Sequence, residues 1–246
     1  MKNVKAIFKK QLKDTLKNPA QLIQFIIFPL IAFAMSTLMV MDIEGIPEEI
    51  ADAITANMPN MVTMQATIFA GMGLITVISG IISEDMDKKS LRFLMMAGVK
   101  PTSYLLGVSG VIFFVSFLTS VAFSLIGEFS GAEFWLFTAA LMSGVAGSTV
   151  LGATFGVLAG NQAAASGLVL PVAMILGFGP TIAQFNETVG RLLHVFYTQQ
   201  LNVVANYLTG GAGDTPLWQS FAIMWANVAV LGIIFALVYK RKGLKG

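Results

Sequence analysis

In "ETVGRLLH", Glu187, Arg191 and His194 stand at i, i+4 and i+7. On a helix that spacing gathers an acid, a guanidinium and an imidazole on one side. Such a trio could move a proton, and His194 is the single histidine of the chain. A solvated amphipathic helix gives the same pattern with no chemistry. A second concentration is "SEDMDKKSLRFLMMAGVKP", Ser83 to Pro101, which holds seven of twenty-eight charges: Glu84, Asp85, Asp87, Lys88, Lys89, Arg92 and Lys100. Mixed charge beside Leu91, Phe93, Leu94, Met95 and Met96 suits docking better than catalysis. There is no cysteine, hence no thiolate or Cys-based metal site, and no G-x-x-x-x-G-K-[ST], hence no phosphate-cradling loop.

The elements that must position these groups are apolar. The chain is 56% hydrophobic and 11% charged, with mean hydropathy +0.78; soluble domains run about 25% charged. Spanning the hydrocarbon core takes roughly 20 apolar residues as a helix. Six stretches qualify, at about 20–41, 61–82, 104–126, 134–159, 167–185 and 217–239, and none contains Asp, Glu, Lys, Arg or His. The expected fold is an all-α integral membrane protein, one transmembrane domain over 1–246. The uncharged spans argue against an intramembrane enzyme, since acid–base work needs positioned titrating groups. They also lack the ionisable groups that pumps use as proton relays. Transport here is passive or driven by a partner.

Fourteen of the fifteen Lys and Arg fall in the alternate connections that include both termini; Arg191 is the exception. The positive-inside rule makes both termini cytoplasmic in a multi-pass cell-membrane protein. Trp135 and Trp218 fall near outer ends, Tyr104 and Tyr239 near inner ends. Residues 1–19 read as a basic amphipathic helix in the headgroup plane, with Val4, Ile7, Phe8, Leu12 and Leu16 on one side and lysines on the other. Asn18-Pro19 caps the first span anew. A signal peptide cleaved near Ala32-Phe33-Ala34 is the rival reading. Outside, a short acidic helix is expected over 46–58, and a helix or two over about 186–210, resting on the membrane face.

The fourth span repeats a small residue every four positions: Ala140, Gly144, Ser148, Gly152, Gly156 and Gly160. That face admits another helix closely, within the subunit or between subunits. Pro171 and "GFGP" (Gly177 to Pro180) should break or kink the fifth span, as a packing kink or a re-entrant turn.

Ser83 reads as an N-cap, with Glu84, Asp85 and Asp87 in the first turns of a helix over about 84–97, stopped by Gly98 and Pro101. Such a helix could seat in a groove on a soluble partner or lie on the subunit's own spans.

The order of elements resembles the permease subunit of type-2 ATP-binding-cassette (ABC) exporters. That family's loop after the second span runs from acids through Gly-Thr-Leu and a Leu-rich turn to Pro and Leu-Leu-Gly. Here Glu84 stands at the acid, Lys89-Ser90-Leu91 at Gly-Thr-Leu, Leu94 in the Leu-rich turn, then Pro101 and Leu105-Leu106-Gly107. "FNETVGRLLHVFYTQQLN" is similar to the family's re-entrant region. The resemblance implies two permease copies, identical or related, with two separate cytoplasmic ATPase subunits that carry the ATP and Mg. This chain would bind no cofactor, metal or nucleic acid, only membrane lipid and those partners. It implies a coupling helix using Glu84, Asp85, Asp87, Lys88, Lys89, Leu91, Arg92, Phe93 and Leu94. It also implies a path lined by the second and fifth spans. Gln65, Thr76, Ser79 and Ser83 lie within about 60° on one helical face by the 3.6-residue period, and Pro171 faces them from the fifth span; ordinary helix packing is the alternative use of such residues. The implied substrate is an amphipathic drug, peptide antibiotic or lipid-linked molecule leaving a bacterial cytoplasm. The alternative is a passive channel or scaffold with no ATPase.

Overall fold

The computed structural model describes residues 2–41, 59–90, 93, 96, 98, 99, 101–211 and 215–242. The expected acidic helix over 46–58 and the docking residues Leu91, Arg92 and Leu94 lie outside them. The helices are α1 (Lys2–Lys17), α2 (Pro19–Met41), α3 (Pro59–Asp87), α4 (Pro101–Ile126), α5 (Gly131–Ala159), α6 (Gln162–Ala183), α7 (Glu187–Leu193), α8 (Tyr197–Leu208) and α9 (Leu217–Lys242). Among the described residues there is no strand. Six helices, α2 to α6 and α9, are long and apolar enough to cross a membrane.

Several spans outrun their apolar runs. α3 continues to Asp87, α6 starts at Gln162, and α9 runs to Lys242. Hydrocarbon thickness limits how long a segment must be apolar, whereas caps decide where a helix stops. Asn18 accepts from the Ala20 N–H at 3.1 Å ahead of α2, and Asn161 accepts from the Ala164 N–H at 2.8 Å ahead of α6. Gly160 closes α5 in the left-handed region at φ 74°.

The bundle is built around α3, 83% of whose span window is buried, against 6% for α9. The four-residue stripe of α5 receives α3 within the same chain. A Cβ on Gly152 would come 2.8 Å from the Ile75 carbonyl, and one on Gly156 would come 2.9 Å from the Ser79 carbonyl. Gly144 sits between Leu201 and Ala70, while Gly160 faces open space. Small residues let the two backbones nearly touch, which replaces the driving force that water would supply in a soluble bundle.

At that contact α3 widens into a π-turn over Phe69–Gly73. Phe69 lies 6.1, 5.9 and 5.8 Å from the rings of Phe25, Phe28 and Phe123. Gly71 lies so close to α6 that a Cβ there would stand 2.4 Å from the Leu176 carbonyl. α6 is one continuous helix through Pro171 and Pro180, so of the expected break or kink the break does not occur. Pro180 lacks the N–H that would meet the Leu176 carbonyl one turn earlier; the close backbone of α3 covers that carbonyl instead.

The chain after α6 divides: α7 buries only Leu193 and stays at the surface, whereas α8 packs into the bundle rather than resting on the membrane face. Gly179 touches Leu193 of α7, and the Tyr197 ring lies against Gly147. Tyr197, Leu201, Val204 and Ala205 of α8 are fully buried. At the far end of α8, the Thr209 hydroxyl donates to Asn60 Oδ1 at 2.6 Å. Tyr197 meets Ser148, which bonds Ala70. Ala70 is eleven residues along α3 from Pro59, or about 16 Å at 1.5 Å per residue. The hairpin α7–α8 therefore reaches roughly the middle of a ~30 Å core. Amphipathic spacing looks alike whether the apolar side meets lipid or protein, so periodicity alone misplaces it.

Helix α1 lies against α4. Ile7 fits over Gly107 and Phe8 over Gly110. Its buried line is Ile7, Gln11 and Thr15, and Leu16 is exposed. The apolar stripe is thus shared between protein and the free surface, with Lys5, Lys9, Lys10, Lys13 and Lys17 outward.

Candidate functional site

Two regions carry the polar groups, both touched by α3. The first is the turn after α3, at the end of the bundle that holds both termini. Ser83 is no cap: it is buried inside α3 and donates to the Gly80 carbonyl at 3.0 Å. The backbone bonding continues to Lys88, whose N–H meets the Glu84 carbonyl at 2.9 Å. Lys89 then turns the chain at φ 55°, and the Phe93 N–H returns to its carbonyl at 3.1 Å. The expected helix over 84–97 is therefore interrupted at Lys89, and the acids end a span rather than begin a helix. Carboxylates are disfavoured at a helix C-terminus. Here cations and hydroxyls answer them: Lys88 Nζ donates to Glu84 Oε1 at 2.5 Å, and the Tyr104 hydroxyl donates to Asp85 Oδ2 at 2.5 Å. Glu84, first by its hydrogen bond and then by its charge, holds the Lys88 ammonium above its usual range. Asp87 and Lys89 are exposed. Phe93 is 67% exposed and Met96 76%. A polar recess of about 480 Å³ joins this turn to α1 through Lys10, Asp14, Lys17, Glu84, Asp85 and Lys88. The lysine face of α1 and the turn thus form one surface, a juxtaposition that sequence order hides.

The second region is a cleft of about 550 Å³ between α2, α3 and α6. Thr76 and Ser79 line it. The Thr76 hydroxyl stands 3.2 Å from Gln24 Oε1 of α2 and 2.8 Å from the Gly73 carbonyl. Ser79 is buried, and its hydroxyl has no hydrogen-bond partner among the described residues. Gln65 lies elsewhere, its amide 3.5 Å from the Met35 sulfur. The π-turn inserts a residue between Gln65 and Thr76, so the uniform 3.6-residue wheel does not join them into one lining. Ser83 lies inside α3 and Pro171 is exposed on α6, and neither lines the cleft. Gln21, Gln24 and Gln162, not singled out in the sequence, do line it. Their signal was available: amides in the opening turns of apolar helices.

The proton-transfer trio does not assemble. Arg191 pairs with Glu187 at 3.3 Å on an open surface, and the His194 carbonyl accepts from the Gln200 side chain. No cluster of three His, Cys, Asp or Glu side chains able to hold a metal occurs among the described residues.

Six spans, a re-entrant hairpin before the last of them, and a charged turn after the second define an ABC-transporter permease architecture. The profile of the ABC-2 type transporter family matches residues 2–198, and the chain belongs to that family. It is a multi-pass membrane protein and the permease part of an ABC transporter. No curated protein matches the chain.

Proposed function

We propose that the chain is the membrane subunit of an exporter, without an ATP site of its own, driven by separate cytoplasmic ATPase subunits. The termini-bearing end is cytoplasmic, and the membrane is a bacterial cell membrane. ATP and Mg bind the ATPases, and a second permease copy, identical or related, completes the transporter. The observation that carries this reading is the turn after α3. A helix buried along most of its length ends in a polar-fixed turn, followed at once by exposed Phe93 and Met96. Such a rigid link passes a push at the surface into the core, because packed helices move as units rather than deform. Glu84, Asp85, Asp87, Lys88, Lys89, Leu91, Arg92, Phe93 and Leu94 form the docking set. Of the candidate path residues Gln65, Thr76, Ser79, Ser83 and Pro171, the two that line the cleft, Thr76 and Ser79, face the path. The substrate is amphipathic, since the cleft pairs amides with aliphatic walls.

The test is coexpression with a candidate ABC ATPase. Glu84→Lys with Asp85→Lys, or Phe93→Ala with Leu94→Ala, should cut ATPase copurification at least about tenfold, the size expected for losing a docking hot spot. Membrane yield of the permease should be unchanged. Full retention of the ATPase by both double variants would overturn the docking role and favour a passive channel.

A further inference from the structure

The cleft between α2, α3 and α6 has a graded wall. At the termini-bearing end it is lined by Asn18, Gln21, Gln162 and Glu84; one to two turns deeper come Gln24, Thr76 and Ser79; beyond lie Ile27, Phe28, Met72 and Leu170. From Glu84 to Met72 is twelve residues of helix, about 18 Å, roughly the depth of one leaflet. Ile23 and Leu170, on opposite walls, are both about half exposed, so the cleft is open at the side of the chain.

Its electrostatics are one-sided. Of the lining side chains, Glu84 alone is charged, and no Lys or Arg reaches the wall. Lys88 occupies Oε1 of Glu84 from the neighbouring recess, and Oε2 has no hydrogen bond among the described residues. Two further polar atoms on this wall, Gln21 Oε1 and Ser79 Oγ, are buried with no hydrogen-bond partner among the described residues. Buried polar atoms are rarely left unpaired. Glu84 Oε2 can only accept, while the Gln21 amide and the Ser79 hydroxyl can each accept or donate. A donating ligand can therefore satisfy all three.

We infer that this cleft takes an amphipath with a cationic, hydrogen-bond-donating head, seated at Glu84 and Gln21, with its apolar body against Ile27, Phe28 and Leu170. An ammonium supplies three donors and a charge that Glu84 Oε2 can meet. An anionic head would face that carboxylate, and the nearest cation, Lys88, lies in the neighbouring recess and is already paired to it. At about 550 Å³ the cleft lies within the 300–1,000 Å³ usual for small-molecule sites. The inference rests on the reading that the permease handles amphipathic substrates, and it adds the sign of their charge.

The test uses the full chain in nanodiscs of zwitterionic lipid, without any ATPase. Binding of a dansyl-labelled long-chain alkylamine is compared with the dansyl-labelled fatty acid of equal chain length. The amine should bind at least about tenfold tighter, the scale of one charge-assisted hydrogen bond. Glu84→Gln should abolish the difference. Gly80 lines the cleft with nothing within 4 Å of an added Cβ, so Gly80→Leu should fold normally and weaken both probes. Equal binding of amine and acid by the wild type, an unchanged preference in Glu84→Gln, or undiminished binding by a folded Gly80→Leu each overturns the inference. The assay contains no ATPase, so a failed docking role shows only in copurification and leaves this result standing.

Discussion

Helix α3 begins at Pro59, beside neutral amides, and ends at Asp87 among charges. At the first end, Gln184 donates to Asn202 Oδ1 at 3.3 Å, Asn206 donates to the same oxygen at 3.2 Å, and Thr209 bonds Asn60. None of these groups titrates, and α8, which they hold, is buried in the bundle. At the second end, Glu84, Asp85 and Lys88 bond partners on the rim while Phe93 and Met96 stand free. The contrast separates two tasks. A closure within the bundle must satisfy its polar groups internally without desolvating a charge. A surface that recruits a partner can keep its charges in water and needs uncovered apolar side chains.

The largest way to break the contrast is to disturb the contact both ends share. Gly71→Leu would drive a side chain into the Leu176 carbonyl backbone. Overpacking of this kind costs on the order of 3 kcal/mol or more. Thermal melting followed by size-exclusion chromatography in detergent should show loss of monodisperse protein, and Gly80→Leu should not. Retention of a wild-type melt by Gly71→Leu would mean that α3 and α6 do not cross there.

Next comes the rim. Tyr104→Phe removes the donor to Asp85 and should cost about 1–2 kcal/mol, because a half-buried carboxylate loses its hydroxyl partner. The melt should fall while alkylamine binding in the cleft stays within about twofold. A binding loss as large as that of Glu84→Gln would show that the two regions are not separable.

At the hairpin, Asn186 caps α7 by accepting from the Thr188 and Val189 N–H groups at 3.0 and 3.2 Å. Asn186→Ala should cost about 1 kcal/mol and raise hydrogen exchange over 187–193 with no change over 84–90. The smallest effect belongs to Glu187→Gln. Its pair with Arg191 is exposed on both sides, so stability should move by about 0.5 kcal/mol or less. A melt shift several times larger would revive a structured site around His194.

Much of this was legible in sequence. Six apolar runs free of ionisable residues gave six spans, because no solvated alternative hides that much apolar surface. The stripe from Ala140 to Gly160 marked a close helix contact. The sequence did not say that α3 fills it, since any helix of either subunit would meet the same small residues. Ser83 looked like a cap because polarity changes there. The helix ignored that change because its backbone bonds are intrasegment and need no apolar neighbour. Gln65 and Thr76 parted company because a π-turn, invisible in side-chain types, inserts a residue between them.

What the chain determined by itself is where it can meet lipid, and with which residues it can meet water. Transfer free energies act residue by residue, and composition carries them directly. What tertiary structure decided is which surfaces face each other: α5 against α3, α8 inside rather than on the bundle, and one carboxylate alone on the wall of a cleft. Those pairings depend on backbones approaching within ångströms across long stretches of sequence. No local pattern encodes such a distance.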